Sequence, residues 1–471
     1  MGWQAVILGS DLLFFVLIAL SVLGAVWARR RPDLTRAWRR VGESDAAMAS
    51  VTVLAALLAV GVLDSLHYRV ALPSAPGQAV IYAAQVDSAL DALTRHLSDR
   101  AEKTYSAPFA THLYAKETVN LPDGQQARVY PRLTWGGRHL QAPESDRPAD
   151  IARGLAVALA LAVTLSALLA LVLIRPWRHG SLGRAWRHFW RAEDGIKRRS
   201  VWLAASALCI VFVPLCLLSG DYHVLGTDKV GQDIFYQALK SVRTAWLIGT
   251  LTTLIMLPFA IFLGIYAGYR GGLADDIVQY LYTTLNSIPG VLLIAASVLM
   301  MQVLIDSHPE WFATAAERAD ARLLALCAIL GMTSWTGLCR LLRGETLKLR
   351  ELDYVQAARA FGVSRSRILV RHILPNVMHI VLISIAMDFS GLVLSEAVLS
   401  YIGIGVDPSM QSFGTMINSA RMELSREPMV WWSLATAFVF LFVLVLAANL
   451  FADAVRDALD PRLASATGGR S

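Results

Sequence analysis

The chain has 471 residues, of which 55% are apolar and only 17% charged, with a formal net charge of +7. That balance excludes an ordinary water-soluble protein of this length, which would carry more charge on its surface. It does not point to nucleic acid either, because the arginines gather beside long apolar runs, the positive-inside pattern of a polytopic membrane protein.

A run of about 20 apolar residues spans the hydrocarbon core, and without water the backbone there must satisfy itself as helix. The first predicted span is Ala5 to Trp27, followed at once by Arg29-Arg30-Arg31. A cleaved signal peptide has its basic residues before the apolar run, so this run reads as an anchor with its N-terminus outside. The basic stretch 28–47 is then cytoplasmic, and Ala47 to Leu66 spans back. Residues 67–150 form one long insertion, predicted to be a small folded extracytoplasmic module. Within it Val86, Leu90, Leu93 and Leu97 share a helical face. Pro122-Asp123-Gly124 is a turn signal between Thr118-Val119 and the alternating Val129, Leu133 and Trp135, which predicts a hairpin. Ile151 to Ile174 is the third span. In the basic stretch Arg175 to Arg199, Trp177, Trp186 and Trp190 interleave with arginines; an interfacial helix and a solvated linker both fit.

Six further spans are predicted: Val201 to Ser219, Ala245 to Tyr266, Ile277 to Ile305, Leu323 to Leu342, Val377 to Gly403 and Val430 to Ala452. The total is nine, which places the C-terminus in the cytoplasm. Gly264 and Gly268 permit close helix contact, and Pro289-Gly290 predicts a kink. Cys209, Cys216, Cys327 and Cys339 all fall inside predicted spans, so no disulfide framework or metal site is implied.

No residue set reads as catalytic. There is no Gly-Lys pair to form a phosphate-cradling loop, no His-Glu-x-x-His, no Cys-x-x-Cys and no Gly-x-Ser-x-Gly. Gly403-Ile404-Gly405 begins a dinucleotide-like string, but Pro408 stands where its third glycine belongs. The chain is therefore expected to be no enzyme and to hold no metal. Asp388 and Glu396 are the acidic residues deep in the last two spans, roughly 80° apart around a helix. Ionisable groups in a span are costly, so they are candidates for the translocation path or an outer gate; a polar contact to a neighbouring helix is the plainer reading.

The stretch Glu351 to Asn376 is basic and amphipathic. Tyr354, Ala357, Ala358 and Phe361 recur at helical spacing, Gly362 is a helix stop, and Ile368, Leu369 and Ile373 resume an apolar pattern up to Pro375. Small Ala357 and Ala358, a bend at Gly362 and a helix entry fixed by Pro375 suit a short stiff lever. Arg359, Arg365, Arg367 and Arg371 suit an acidic partner. By spacing alone, a helix resting on anionic lipid fits equally well.

Ala357-Ala358, three residues, Gly362, and then Leu374-Pro375 resemble the EAA coupling loop of ABC importer permeases. The runs Leu225-Gly226-Thr227-Asp228 with Gly231, Ala267 to Gly272, Arg371 to Asn376 and Arg456 to Pro461 are similar to the C-type subunit of the dipeptide/oligopeptide permease family. The resemblance covers about residues 201–465. Gln356 stands where the general loop has Glu, removing a charge, and His372 stands where it has an apolar residue.

The resemblance implies an all-α polytopic fold with a type I ABC importer-like core, joined here to a small α/β extracytoplasmic insertion. The apolar runs and charge pattern divide the rest, giving a helix pair at 1–66, the insertion at 67–150, a third helix and basic linker at 151–200, the permease core at 201–465 and a tail at 466–471. The resemblance implies an inner-membrane subunit of a peptide importer, working with a second homologous permease subunit, two ATPase subunits and an extracytoplasmic substrate-binding protein, in contact with membrane lipid. ATP and Mg would be held by the ATPases and no cofactor by this chain. Tyr354, Gln356, Ala357, Ala358, Arg359, Phe361, Gly362, Arg365 and Pro375 would face the ATPase. Gly226, Thr227 and Asp228 would lie on the binding-protein side; a capped turn, with Thr227 or Asp228 as N-cap of the next helix, fits them too. Two alternatives stand beside this reading: a proton-coupled secondary transporter using Asp388 and Glu396, and a membrane scaffold working through residues 67–150.

Overall fold

The computed structural model describes residues 2–30, 32–73, 80–120, 126–174, 182–191, 195–312 and 314–459. The predicted turn at Pro122-Asp123-Gly124, the motif residues Asp460 and Pro461 and the tail 466–471 lie outside the described residues. In chain order come β1 (Trp3–Val6), α1 (Gly9–Ala28), α2 (Pro32–Glu43), α3 (Asp45–Asp64), β2 (His67–Val70) and β3 (Asp87–Ser88). Next are α4 (Ala89–Leu93), α5 (Arg95–Ser98), β4 (Glu117–Asn120), β5 (Gln126–Val129), α6 (Pro143–Ile174), α7 (Leu182–Arg191) and α8 (Arg198–Leu218). Then follow α9 (Ile234–Arg270), α10 (Gly272–Ser287), α11 (Gly290–Ser307), α12 (Ala315–Ser334) and α13 (Thr336–Leu349). The last are α14 (Asp353–Ala360), α15 (Arg365–Ile368), α16 (Leu374–Ile402), α17 (Phe413–Arg421) and α18 (Trp432–Leu459).

Among the described residues, nine helical stretches are long and apolar enough to cross a bilayer. Their bounds differ from expectation in instructive places. Ala5 and Val6 belong to β1 and not to the first span. The kink expected at Pro289-Gly290 is a complete break. Ile288, pushed out of the helical region by the proline that follows, sits at φ −90°, ψ 131° and ends α10. The sixth span is therefore α11 alone.

The described residues fall into two compact units, one within 2–7, 39–245 and 411–450, the other within 8–38, 246–410 and 451–459. In the first unit α6 and α8 run antiparallel. Gly154 faces Leu218, and farther along, the Ser166 and Ser206 hydroxyls are 2.6 Å apart. The buried stripe Ala158, Ala162, Ser166 and Ala170 on α6 allows this approach, since small residues let helix backbones close in lipid. Phe189 of α7 packs into the same cluster as Ala170 and Ile174.

The insertion is built on a three-stranded antiparallel sheet. β1 pairs with β2, Trp3 opposite Val70, and β2 pairs with β3, Tyr68 opposite Asp87. β4 and β5 form the expected hairpin, Glu117 opposite Val129, although Leu133 and Trp135 fall beyond it. The single helix expected through Val86 to Leu97 is instead two short helices. Ser88 and Asp91 form a capping box that starts α4 only after Val86. Leu90 and Leu97 pack against Phe235 and Leu239 of α9, whereas Leu93 is 65% exposed.

In the second unit, Ser10 at the start of α1 donates its N–H to Asp320 of α12 at 3.0 Å. α9 crosses α13 through Gly264 and Gly268. A Cβ at either would stand 2.7 Å from a carbonyl, of Cys339 or of Arg343 respectively. The main core cluster gathers Met256, Leu338, Leu342, Val355, Ile368, Ile373 and Val377.

Candidate functional site

α14 is eight residues long and is held to the second unit by one side. Val355 is 2% exposed in the core cluster, with Ala358 and Val363 packed partly against it. The sequence reading had grouped Tyr354, Ala357, Ala358 and Phe361 as one apolar face. The structure divides them, for Ala358 turns inward and the other three turn out, Phe361 being 87% exposed. Gln356, Arg359 and Arg365 are exposed as well. Gln356 donates from its amide to the Glu351 carbonyl at 3.1 Å, a bond that a glutamate could not make.

The stop at Gly362 is a Schellman motif. Gly362 has φ +74°, its N–H donates to the Arg359 carbonyl, and the Val363 N–H reaches back to the Ala358 carbonyl, each at 3.1 Å. No atom lies within 4 Å of where a Cβ would stand, so glycine is needed for its backbone and not for space. The chain then continues as one long helical stretch, Arg365–Ile402. A π-helical turn at Leu369–Ile373 widens it just before Pro375, whose ring would clash with the carbonyl of Arg371 in a regular α-helix. Asn376 ties the two arms together, donating from its amide to the Tyr354 hydroxyl at 2.9 Å and to the His372 carbonyl at 2.6 Å. On the other flank Arg350 donates to the Gly268 carbonyl at 3.2 Å, and Arg343 pairs with Asp275 of α10 at 2.7 Å, holding that carboxyl below its ordinary range. Among the described residues Arg359, Arg365, Arg367 and Arg371 meet no acidic partner. The result is a rigid, basic, partly apolar knob mounted on α16.

The two acidic candidates on α16 part company. Glu396 is 2% exposed and accepts a 2.6 Å hydrogen bond from Ser400 one turn later. It is thus packed and bonded within its own helix. Asp388 is half-buried, with no hydrogen-bond or ion-pair partner among the described residues; beside it in sequence Phe389 lies against Trp246, ring centroids 5.1 Å apart.

Gly226, Thr227 and Asp228 lie in the first unit, beneath the chain's own insertion. Thr227 is 0% exposed. Its hydroxyl accepts from the Ser106 N–H at 2.7 Å and donates to the Thr104 carbonyl at 3.0 Å, while its carbonyl accepts from the Trp432 indole at 3.0 Å. A Cβ at Gly226 would lie 2.6 Å from the Ser106 carbonyl. The cap of α9 is neither Thr227 nor Asp228 but Asp233, which accepts from the N–H groups of Phe235 at 2.8 Å and Tyr236 at 3.3 Å. Asp228 instead closes its own turn, accepting from Val230 and Gln232, each at 2.9 Å.

Sequence reasoning missed the groups that fasten the insertion here. His223 lies between two carboxylates, its Nδ1 2.8 Å from Asp233 and its Nε2 3.5 Å from Glu102. Burial opposes charge on Glu102, yet His223 and the N–H groups of Thr134, Trp135 and Gly136 outweigh it and hold the carboxyl low. Nearby, Lys240 donates to Asp64 and Asp91, each at 2.8 Å, and the Tyr236 hydroxyl to Asp91 at 2.7 Å. A histidine between acidic residues was the one available signal, but no local spacing connects Glu102 to it.

Residues 260–465 match the family model described as "Binding-protein-dependent transport system inner membrane component". Oligopeptide transport system permease protein OppC of Mycobacterium tuberculosis is 34% identical over 242 residues, 51% of this chain and 77% of that protein. Glutathione transport system permease protein GsiD of Pectobacterium atrosepticum is 31% identical over 311 residues, 61% of this chain and 95% of that protein. Dipeptide transport system permease protein DppC of Lactococcus lactis is 31% identical over 242 residues, 51% of this chain and 64% of that protein. Among solved structures, a chain of the MetNI methionine ABC transporter in an inward-facing conformation is similar with a TM-score of 0.34 at 17% identity, covering 47% of this chain and 93% of that one.

Proposed function

We propose that this chain, which belongs to the family of binding-protein-dependent transport system inner membrane components and is a multi-pass permease subunit, forms half of the translocation path of an ATP-driven importer for di- and oligopeptides. Relatives named for oligopeptide, dipeptide and glutathione transport support short peptides as the substrate class. A second permease subunit completes the path, two ATPase subunits hold ATP and Mg, and a substrate-binding protein delivers the peptide. The observation that carries this reading is the knob Tyr354–Arg365. Its exposed apolar and guanidinium groups sit on a lever continuous with α16, the geometry needed to pass a partner's movement into a membrane helix. Asp388 and Glu396 remain its path candidates.

The basic flanks support a cytoplasmic knob and C-terminus. The pairing of β1 with β2 supports an outside position for the segment before α1, since it joins that segment to the insertion. Because the insertion covers Gly226 and Thr227, its outer surface, and not those residues, is what the binding protein meets. The match to binding-protein-dependent transport components disfavours a proton-coupled secondary transporter.

Ala357→Asp and Gly362→Asp test the coupling role after reconstitution with the partner subunits. Both variants should insert normally and let ATP hydrolysis continue, while uptake falls about tenfold or more, because an unpaired charge is buried at a docking surface. Normal uptake by both variants would overturn the assignment.

A further inference from the structure

A cleft of about 350 Å³ in the first unit is lined by Arg100, Trp135, Arg138, His139, Gly220 and Asp221. The Arg100 and Arg138 guanidinium carbons each lie 5.6 Å from the centre of the Trp135 ring. The loop carrying these groups is fixed from beneath. Glu102 accepts from the N–H groups of Thr134 at 2.9 Å, Trp135 at 2.7 Å and Gly136 at 3.3 Å, and Arg132 donates to the carbonyls of Gly137 and Leu140. Gly137, at φ +66°, turns the chain so that Arg138 follows, and its N–H donates to the Asp221 carbonyl at 2.8 Å.

Of the acidic groups nearby, Asp150 is engaged, while Asp221 lines the cleft with its side chain 62% exposed. Asp150 accepts from the Tyr222 hydroxyl at 2.7 Å and lies 2.9 Å from His139 Nε2. Asp221 is 3.8 Å from His139 Nδ1. Arg100 donates to the Gly220 carbonyl, while Arg138 has no hydrogen-bond or ion-pair partner for its guanidinium among the described residues. Two planar cations thus share one indole, and the cleft lining holds two arginines against the single carboxylate of Asp221.

Position supplies the ligand's identity. Asp150 and Arg153 stand at the start of the apolar run of α6, and Gly220 and Asp221 immediately follow that of α8. These helices are antiparallel partners of the same unit, so both hydrocarbon-crossing runs end at the cleft. That is the headgroup plane, where Trp anchors and Arg meets lipid phosphate. The first turns of α6 beyond it leave Leu155 40% and Val157 60% exposed, an apolar surface suited to acyl chains. We propose that this cleft binds the phosphate of an anionic phospholipid, with Arg138 and Arg100 as a two-cation clamp and Trp135 as the platform between headgroup and hydrocarbon.

The test uses the full chain purified in mild detergent, with native mass spectrometry after addition of phosphatidylglycerol, phosphatidylcholine or inorganic phosphate. Phosphatidylglycerol should be retained on the wild type in clear preference to phosphatidylcholine. Arg138→Gln should weaken retention about tenfold, the loss of a charge-assisted bidentate contact, and Arg138→Lys less. Equal retention of the two lipids by the wild type overturns the proposal without any variant. So does unchanged phosphatidylglycerol retention by a folded Arg138→Gln chain. Displacement of the lipid by millimolar inorganic phosphate, with phosphate binding abolished by the same substitution, would identify a soluble-anion site instead and overturn the lipid assignment.

Discussion

Replacing His223 by Asn removes the positive charge that fastens the insertion to the segment before α9. His223 is 4% exposed and lies 2.8 Å from Asp233 and 3.5 Å from Glu102. Burial by itself would lower the imidazole pKa, but the two carboxylates outweigh it and raise it from 6.5 to about 9. Glu102 moves the other way, from 4.5 to about 2, through His223 and three backbone N–H groups acting against burial. A base raised in the folded state stabilises that state while protonated. The contribution of His223 is therefore complete below pH 6.5 and disappears as the pH rises through about 9. It amounts to something on the order of 3 kcal/mol. The contribution of Glu102 is complete above pH 4.5 and is lost as the pH falls through about 2, so the clamp is strongest between these limits. The assay is the melting temperature of the purified chain in detergent at about pH 6 and about pH 9.5, spanning the His223 transition. The wild type should lose several degrees between them. His223→Asn should start lower, because two buried carboxylates have lost their cation, and should show no such fall. Parallel pH profiles for the two chains would refute the reasoning.

Val355→Ala removes the side chain that seats α14 in the core cluster. A loss of about 2 kcal/mol of local stability is expected, read as faster hydrogen exchange confined to residues 351–363 and a lower uptake per ATP hydrolysed; unchanged exchange there would show that Val355 does not hold the knob. Gly264→Val places a side chain where a Cβ already stands 2.7 Å from the Cys339 carbonyl. The α9–α13 crossing should open, with loss of folded protein from the membrane fraction, whereas Gly183→Val, where among the described residues no atom lies within 4 Å of an added Cβ, should accumulate normally.

Hydrocarbon imposes its demands on sequence directly, which is why the spanning helices were legible. Each must be long, apolar and internally hydrogen-bonded, and basic flanks mark their ends. The stop at Gly362 was legible for a similar reason, since left-handed backbone is a property of a single residue; at Pro375 a helix entry was expected, and the helix instead runs through it with a π-helical turn. The faces of α14 were not legible. Eight residues make barely two turns, so Val355 and Ala358 compete with Tyr354, Ala357 and Phe361 on nearly equal terms, and only the core cluster shows which side is covered. Asp388 and Glu396 looked alike as acids in an apolar run. Ser400, one turn after Glu396, was readable as its partner; that Glu396 is buried and Asp388 only half-buried was decided by packing. Nothing local in the sequence indicated that Glu102, His223 and Asp233 would meet, or that Arg100 and Arg138 would share one indole. Contacts between distant segments depend on how the insertion closes over residues 219–240, and that closure is a property of the tertiary fold alone.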